Sequence, residues 1–274
     1  MGKVLSEQDI AFYRAQGFLF PIPLLSAAEA ASFRRALETH EARFGGALPK
    51  ELRHKPHLTM LWADALVHHP KVLDAVEDVI GPDILCWESV LFIKSPGTPE
   101  YISWHQDITY WGLGSDEVAT AWIALSPSTP ESGCMRVVPG THRREVVPHR
   151  NTFAAHNLLS RGQEIAVEVD EAKAVDIVLQ PGQMSLHHVK IFHGSFENRS
   201  NDRRIGFAIR YLPPHVRQVV GAADSAMLVR GRDRFGYFEL ERRPRADLEP
   251  EQLAYHERLR AQRMAILMRP VEVA

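Results

Sequence analysis

Cysteine is nearly absent from this chain of 274 residues: Cys86 and Cys134 are the only two. That is too few for a disulfide scaffold and fits a reducing compartment. Long apolar runs are missing as well, since no stretch approaches the roughly 20 residues that span a bilayer. Neither sign of charge dominates. The 32 basic and 34 acidic residues leave a net charge of -2 without any block of one sign, which argues against a nucleic-acid or membrane-surface partner. The start, Met1-Gly2-Lys3 with Glu7 and Asp9 close behind, lacks the apolar core of a signal peptide and the Arg-rich, acid-poor character of a transit peptide. A cytoplasmic location is therefore expected. Internal repeats, low-complexity tracts and any signal for an oligomeric state are also lacking. What remains is the profile of a globular enzyme, 45% hydrophobic over a length that can bury a sizeable core.

The chain changes texture along its length. Ser6 with Asp9 and Ser26 with Glu29 have the spacing of capping boxes, each ahead of a helix-forming stretch that runs to glycine, Gly17 and Gly45-Gly46. A short apolar strand, Phe18 to Phe20, is expected between the two helices. A third helix is predicted from about Lys71 to Ile80, where Val72, Leu73, Val76, Val79 and Ile80 share one face and Gly81-Pro82 stops it. From Ile84 onward β-type runs are punctuated by Pro, Gly, Ser and Asn: Ile84 to Lys94, Ala119 to Leu125, Arg136 to Val138, Ile165 to Val169, Met184 to Phe192 and Ile205 to Tyr211. Such punctuation suggests a sandwich or barrel and not a βαβ fold. Leu248 to Leu267 returns to helical character. No linker is visible, so one domain is expected, with a helical part over about 6–80, a β core over about 84–212 and a helical tail.

His105-Gln106-Asp107 places two metal-ligating side chains two residues apart, which on a strand would point to the same side. A distant His193 would complete two histidines and one carboxylate on one face of an ion, an arrangement that leaves positions open on Fe(II). His-x-Asp alone is too short to be specific; the segment His193-Gly194-Ser195-Phe196-Glu197-Asn198-Arg199-Ser200, followed by Arg204 on an apolar strand, makes it so. A guanidinium offers a planar fork that holds a carboxylate through two hydrogen bonds. In period-2 register Arg204, Gly206 and Ala208 share a face, so two small residues would leave room for a ligand beside the arginine.

These residues resemble the phytanoyl-CoA dioxygenase family, in which a His-x-Asp pair, a distal His in a His-Gly-Ser context and an Arg eleven positions later bind iron and 2-oxoglutarate. The similarity extends to Gly133-Cys134-Met135-Arg136-Val137-Val138-Pro139-Gly140-Thr141-His142, with Thr141 where Ser is usual, and to Gly17-Phe18 and Pro181-Gly182. It covers roughly residues 6 to 212. The resemblance implies a double-stranded β-helix, a jelly roll of cupin type, whose mouth holds Fe(II) on His105, Asp107 and His193. It further implies that Arg204 holds the distal carboxylate of 2-oxoglutarate, helped by Ser195, with Trp122 against the same co-substrate. Hydroxylation of an unactivated C–H bond of a small molecule would follow, with O2 consumed and 2-oxoglutarate converted to succinate and CO2.

Several residues carry weaker signals. Lys94, at the end of a strand, is placed to reach co-substrate or substrate. Tyr101, Trp104, Tyr110 and Trp111 crowd the metal motif and would wall a cavity against water. His187 and His188 precede the distal ligand, and the polar stretch Val147 to Gly162 has the length of a lid. Lys94, Arg150, Arg161 and Arg210 are possible anion partners, which favours a small polar or carboxylated metabolite as substrate. Two competing functions use the same residues differently: a cupin-like binding or sensor protein without turnover, and a zinc hydrolase, which would not need Arg204.

Overall fold

A computed structural model of the chain describes residues 2–221 and 224–269. Its helices are α1 (Glu7–Gln16), α2 (Ala27–Ala42), α3 (Leu61–Val67), α4 (Pro70–Ile80) and α5 (Pro250–Leu267). The strands are β1 (Phe18–Pro23), β2 (Ile84–Lys94), β3 (Ile102–His105), β4 (Ala119–Ala124), β5 (Arg136–Val138), β6 (His149–Asn151) and β7 (Gln163–Ile165). They continue with β8 (Val175–Asp176), β9 (Gln183–His188), β10 (Phe192–Ser195), β11 (Arg204–Leu212), β12 (Ser225–Arg230) and β13 (Glu239–Leu240). Both predicted capping boxes form: Ser6 and Asp9, like Ser26 and Glu29, exchange side-chain and backbone hydrogen bonds at the helix starts.

A seven-stranded sheet has the order β1-β9-β4-β11-β2-β12-β13, a four-stranded sheet the order β3-β10-β5-β8, and β6 and β7 form a separate pair. Pairing is antiparallel except between β12 and β13. The large sheet has two unlike faces, and β11 exhibits both. Ile205, Phe207, Ile209 and Tyr211 are fully buried in one apolar cluster with Leu66, Val72 and Val76 of α3 and α4. Each such side chain contributes about 1.5–3 kcal/mol by leaving water. Arg204, Ala208 and Arg210, on the alternate face, look toward the small sheet across a cavity. The apolar face anchors the strand and so releases the other face for chemistry.

The predicted run from Met184 to Phe192 is in fact two strands. β9 ends at His188, a turn occupies Val189 to Ile191 closed by Ile191 N–H to His188 O at 3.0 Å, and β10 joins the other sheet. The run is apolar throughout because both sheets bury it, so composition does not reveal the corner. The run expected over Ile165 to Val169 likewise shifts: the strand is Gln163–Ile165, paired with β6. Helix α3 and strands β12 and β13 carry no strong pattern of their own and are additions to the predicted set.

The Pro139-Gly140-Thr141-His142 segment fastens the N-terminal helix to the distal-histidine strand. Gly140 N–H donates to Gln16 O at 2.8 Å, the His142 ring lies 3.0 Å from Arg14 O, and Thr141 Oγ1 accepts from Phe192 N–H at 2.9 Å. Gly17 ends α1 at φ +83° with His142 packed where a side chain would be; a Cβ would lie 2.5 Å from His142 Nδ1. Gly17→Ala combines a left-handed backbone, which costs about 1–2 kcal/mol for alanine, with that collision. It is expected to lower Tm by roughly 5 °C or more, measured by thermal unfolding; an unaltered Tm would show the contact to be dispensable.

Candidate active site

β3 and β10 are neighbours in the small sheet, and their register pairs His105 with His193. The two imidazoles stand side by side, centroids 4.0 Å apart. Asp107 does not follow on the strand as its spacing predicted. β3 stops at His105, and Asp107 opens a 3-10 turn, Asp107–Tyr110. The turn is fixed by Asp107 N–H donating to Val189 O at 3.0 Å, the same corner that redirects the chain into β10. Between the two ligands, Gln106 is fully buried and locks the bend. Its backbone N–H donates to His149 Nε2 at 3.0 Å, and its side chain donates to Lys190 O and accepts from Val147 N–H, both at 2.9 Å. His105, Asp107 and His193 thereby offer one ligand atom each, all within 4.8 Å of one another.

Their protonation states suit a metal. His105 Nδ1 faces Ser103 O at 2.9 Å and His193 Nδ1 faces Ile191 O at 3.0 Å. A backbone carbonyl only accepts, so Nδ1 carries the proton in each ring and Nε2 presents its lone pair. Burial, reinforced by His105, holds His193 neutral well below the usual histidine range. Burial acts to raise the Asp107 carboxyl and the Arg210 guanidinium to lower it, and the net shift is downward, which keeps the group ionised. Two neutral imidazoles and a carboxylate converging from one side fit Fe(II) with positions left open.

The cavity beside these ligands is only about 30 Å³ and is lined from both sheets, by Thr120, Trp122, Arg204 and Arg210 of the large one and Ile102 and Ser195 of the small one among others. Arg204 is 1% exposed, and its Nε and Nη2 have no hydrogen-bond partner among the described residues. No salt bridge engages it there either, and burial pulls its pKa down to about 10. The indole of Trp122 lies against the guanidinium, 5.4 Å from Cζ to ring centroid. Gly206 makes room for that indole and not directly for a ligand: a Cβ there would fall 1.8 Å from Trp122 Cζ2.

Ser195 lines the cavity, and its Oγ accepts from Lys94 Nζ at 2.7 Å. Lys94 pairs with Arg204 across the strands but is turned toward Ser195 and the Phe196 carbonyl, and does not line the cavity. Burial first, then Arg204, lowers its pKa to about 6. Of the four cations considered as anion partners, only Arg210 faces the cavity. Arg150 pairs with Glu164, and Arg161 lies on Tyr110 and donates to Leu267 O at the end of α5. The Val147 to Gly162 stretch contains β6 and ends where β7 begins, and its Leu159 reaches the cavity wall. His187 and His188 separate by strand alternation, His187 toward His193 and His188 onto His142. Thr120, Gln106 and His149 were not singled out for the site by sequence. Their roles come from cross-strand register and loop closure, which leave no local pattern.

Residues 13–206 match the family described as phytanoyl-CoA dioxygenase (PhyH). The probable alpha-ketoglutarate-dependent hypophosphite dioxygenase of Stutzerimonas stutzeri is 29% identical over 186 residues, 65% of this chain and 63% of that protein. Human peroxisomal phytanoyl-CoA dioxygenase is 30% identical over 142 residues, 49% of this chain and 41% of that protein. The chain thus spans less than two thirds of these curated relatives. A solved apo structure of the non-heme monooxygenase ThoJ is 38% identical with a TM-score of 0.84, covering 94% of this chain and 96% of that one. A nickel complex of the same monooxygenase is 35% identical with a TM-score of 0.79, covering 94% and 98%.

Burial makes stability depend on pH in a definite window. His149, His187 and His188 are each pushed down to about 4, chiefly by burial. The unfolded chain takes up these protons near pH 6.5, so between about 6.5 and 4 it binds more protons than the folded chain. Unfolding free energy then falls with pH by up to about 1.4 kcal/mol per unit per histidine. Tm of the metal-free protein should be level from pH 8 to 7 and drop between pH 6.5 and 5, above the range where carboxylates titrate. A level Tm down to pH 5 would contradict the neutral burial of these rings.

Proposed function

Since the chain belongs to the phytanoyl-CoA dioxygenase family, we propose that it is an Fe(II)- and 2-oxoglutarate-dependent dioxygenase that hydroxylates an unactivated C–H bond of a small molecule. The observation that carries this is Arg204, a permanently charged group 1% exposed with no protein anion to neutralise it among the described residues. Burying a lone ion costs several kcal/mol. A dicarboxylate recovers that cost, and its planar far carboxylate matches the fork. A hydrolytic zinc site has no use for such a cation.

His105, Asp107 and His193 would hold the iron, with Arg204 and Ser195 on the distal carboxylate and Trp122 closing the wall beside it. Lys94 acts through Ser195, orienting its hydroxyl. Iron, when bound, supplies the O2 chemistry that splits 2-oxoglutarate to succinate and CO2 and oxidises substrate. The protein's part is to orient both molecules and keep the cavity dry.

The two packed sheets, with β10 and β9 split between them, support a jelly-roll (double-stranded β-helix) core. One domain is supported because β1 from the N-terminal part and β12 from beyond the β core both extend the same sheet. Two buried free cysteines are consistent with the cytoplasm. Among the described residues no helix is long and apolar enough to cross a membrane.

Succinate release from 2-oxoglutarate, with Fe(II) and ascorbate, tests the proposal. Arg204→Ala should raise the 2-oxoglutarate requirement roughly 10- to 100-fold, the worth of a charge-assisted contact, while iron retention is unaltered. Arg204→Lys should recover part. An unchanged requirement in Arg204→Ala would remove that residue from the site. Bound iron with no succinate from the unaltered protein would favour a binding or sensor role instead.

A further inference from the structure

Arg210, Thr120 and His187 form a single row across three strands: Arg210 pairs with Thr120, and Thr120 with His187. Side chains in such a row stand about 4.5–5.5 Å apart on one face. All three line the cavity that holds the candidate metal ligands, and they are 8%, 1% and 2% exposed. Each has a polar atom without a partner among the described residues: Arg210 Nε, Thr120 Oγ1 and His187 Nδ1. Buried polar atoms are rarely left unpaired, and three in one row point to a ligand that satisfies them.

The arginine is prepared for such a ligand. Its guanidinium lies 4.8 Å from the ring of Trp111, Trp111 packs at a tilt against Trp87 with centroids 4.9 Å apart, and Arg263 lies over the Trp87 ring at 3.6 Å. Arg263 is itself fixed by Glu88 at 3.5 Å and Asp224 at 3.3 Å. Held by its face, Arg210 keeps its in-plane N–H donors available. The nearest carboxylate oxygen, Asp107 Oδ2, is 3.9 Å away, beyond hydrogen-bond reach.

We propose that Arg210, Thr120 and His187 are a second anion-binding site, beside the metal, that takes a carboxylate or comparable oxyanion. Arg204 and Arg210 are six residues apart on one strand face, about 20 Å between Cα atoms, so they serve different anionic groups. The oxyanion comes either from the carboxylate end of 2-oxoglutarate that faces the metal or from the substrate. The site rests on the cavity's assignment to Fe(II) and 2-oxoglutarate, but its donors can be tested apart from turnover.

The experiment uses nickel-loaded protein, which does not turn over, with tryptophan fluorescence reporting through Trp111. Unaltered protein, Arg210→Gln and Thr120→Val are titrated with 2-oxoglutarate, and with acetate and inorganic phosphate before and after saturation with it. Metal content and Tm are recorded for each. Arg210→Gln should weaken an oxyanion roughly tenfold or more, and Thr120→Val the same one roughly two- to tenfold. Loss of 2-oxoglutarate affinity assigns the site to the co-substrate. Unchanged 2-oxoglutarate affinity with loss of acetate or phosphate binding assigns it to a second molecule. If the unaltered protein binds no 2-oxoglutarate, the functional proposal fails, and the acetate and phosphate titrations still decide this one. Unaltered affinities for all three anions overturn it, as does a fall in metal content alone, which would make Arg210 only a support for Asp107. Should Arg210→Gln not fold, the near-isosteric Thr120→Val decides by the same criterion.

Discussion

An unpaired guanidinium buried between two sheets is the constraint on which the rest of this molecule turns. A folded chain with Arg204 enclosed and without a protein anion among the described residues carries a cost of several kcal/mol. It can do so because the opposite face of β11 is packed into the helical layer through Ile205, Phe207, Ile209 and Tyr211, all fully buried. Stability is concentrated on one side of the sheet and functional groups on the other. Gly206 and Trp122 extend the same logic: the missing side chain admits an indole that shapes the cavity and faces the charge.

The candidate metal ligands depend on a second constraint, the corner at Val189 to Ile191. By moving the chain from the large sheet to the small one, it delivers His193 beside His105, while Val189 O fixes the turn that aims Asp107. The ligand set is therefore built by two strands and one turn held to a common point. Carbonyls behind both imidazoles set the tautomers, and Gln106 with His149 stiffens the bend. Such outer contacts matter to metal sites nearly as much as the ligands do.

Much of this was legible in the sequence, for reasons that differ by element. The capping boxes and α4 are local, so pattern alone located them. His105, Asp107, His193 and Arg204 stood out as candidates because the distal segment is long and its spacing to the arginine fixed. What the sequence hid is set by distant pairing. The sheet-switching corner lies inside an unbroken apolar run, Asp107 leaves the strand its spacing suggested, and the row of Arg210, Thr120 and His187 exists only once β11, β4 and β9 are aligned. Lys94 shows the reverse case, a residue at the right strand end whose amino group is turned to Ser195 and away from the cavity.

The central claim is that Arg204 selects a co-substrate by its second carboxylate, and the most direct measurement compares two oxo acids that differ only there. Iron-loaded protein is supplied in turn with 2-oxoglutarate and 2-oxobutyrate, which has the same oxo acid end and no distal carboxylate, and CO2 release and binding are measured for each. The account predicts binding and decarboxylation of 2-oxoglutarate with 2-oxobutyrate weaker by roughly tenfold or more, the worth of the lost charge-assisted pair. Equal use of the two acids would contradict it, because the buried charge of Arg204 would then have no anion to meet.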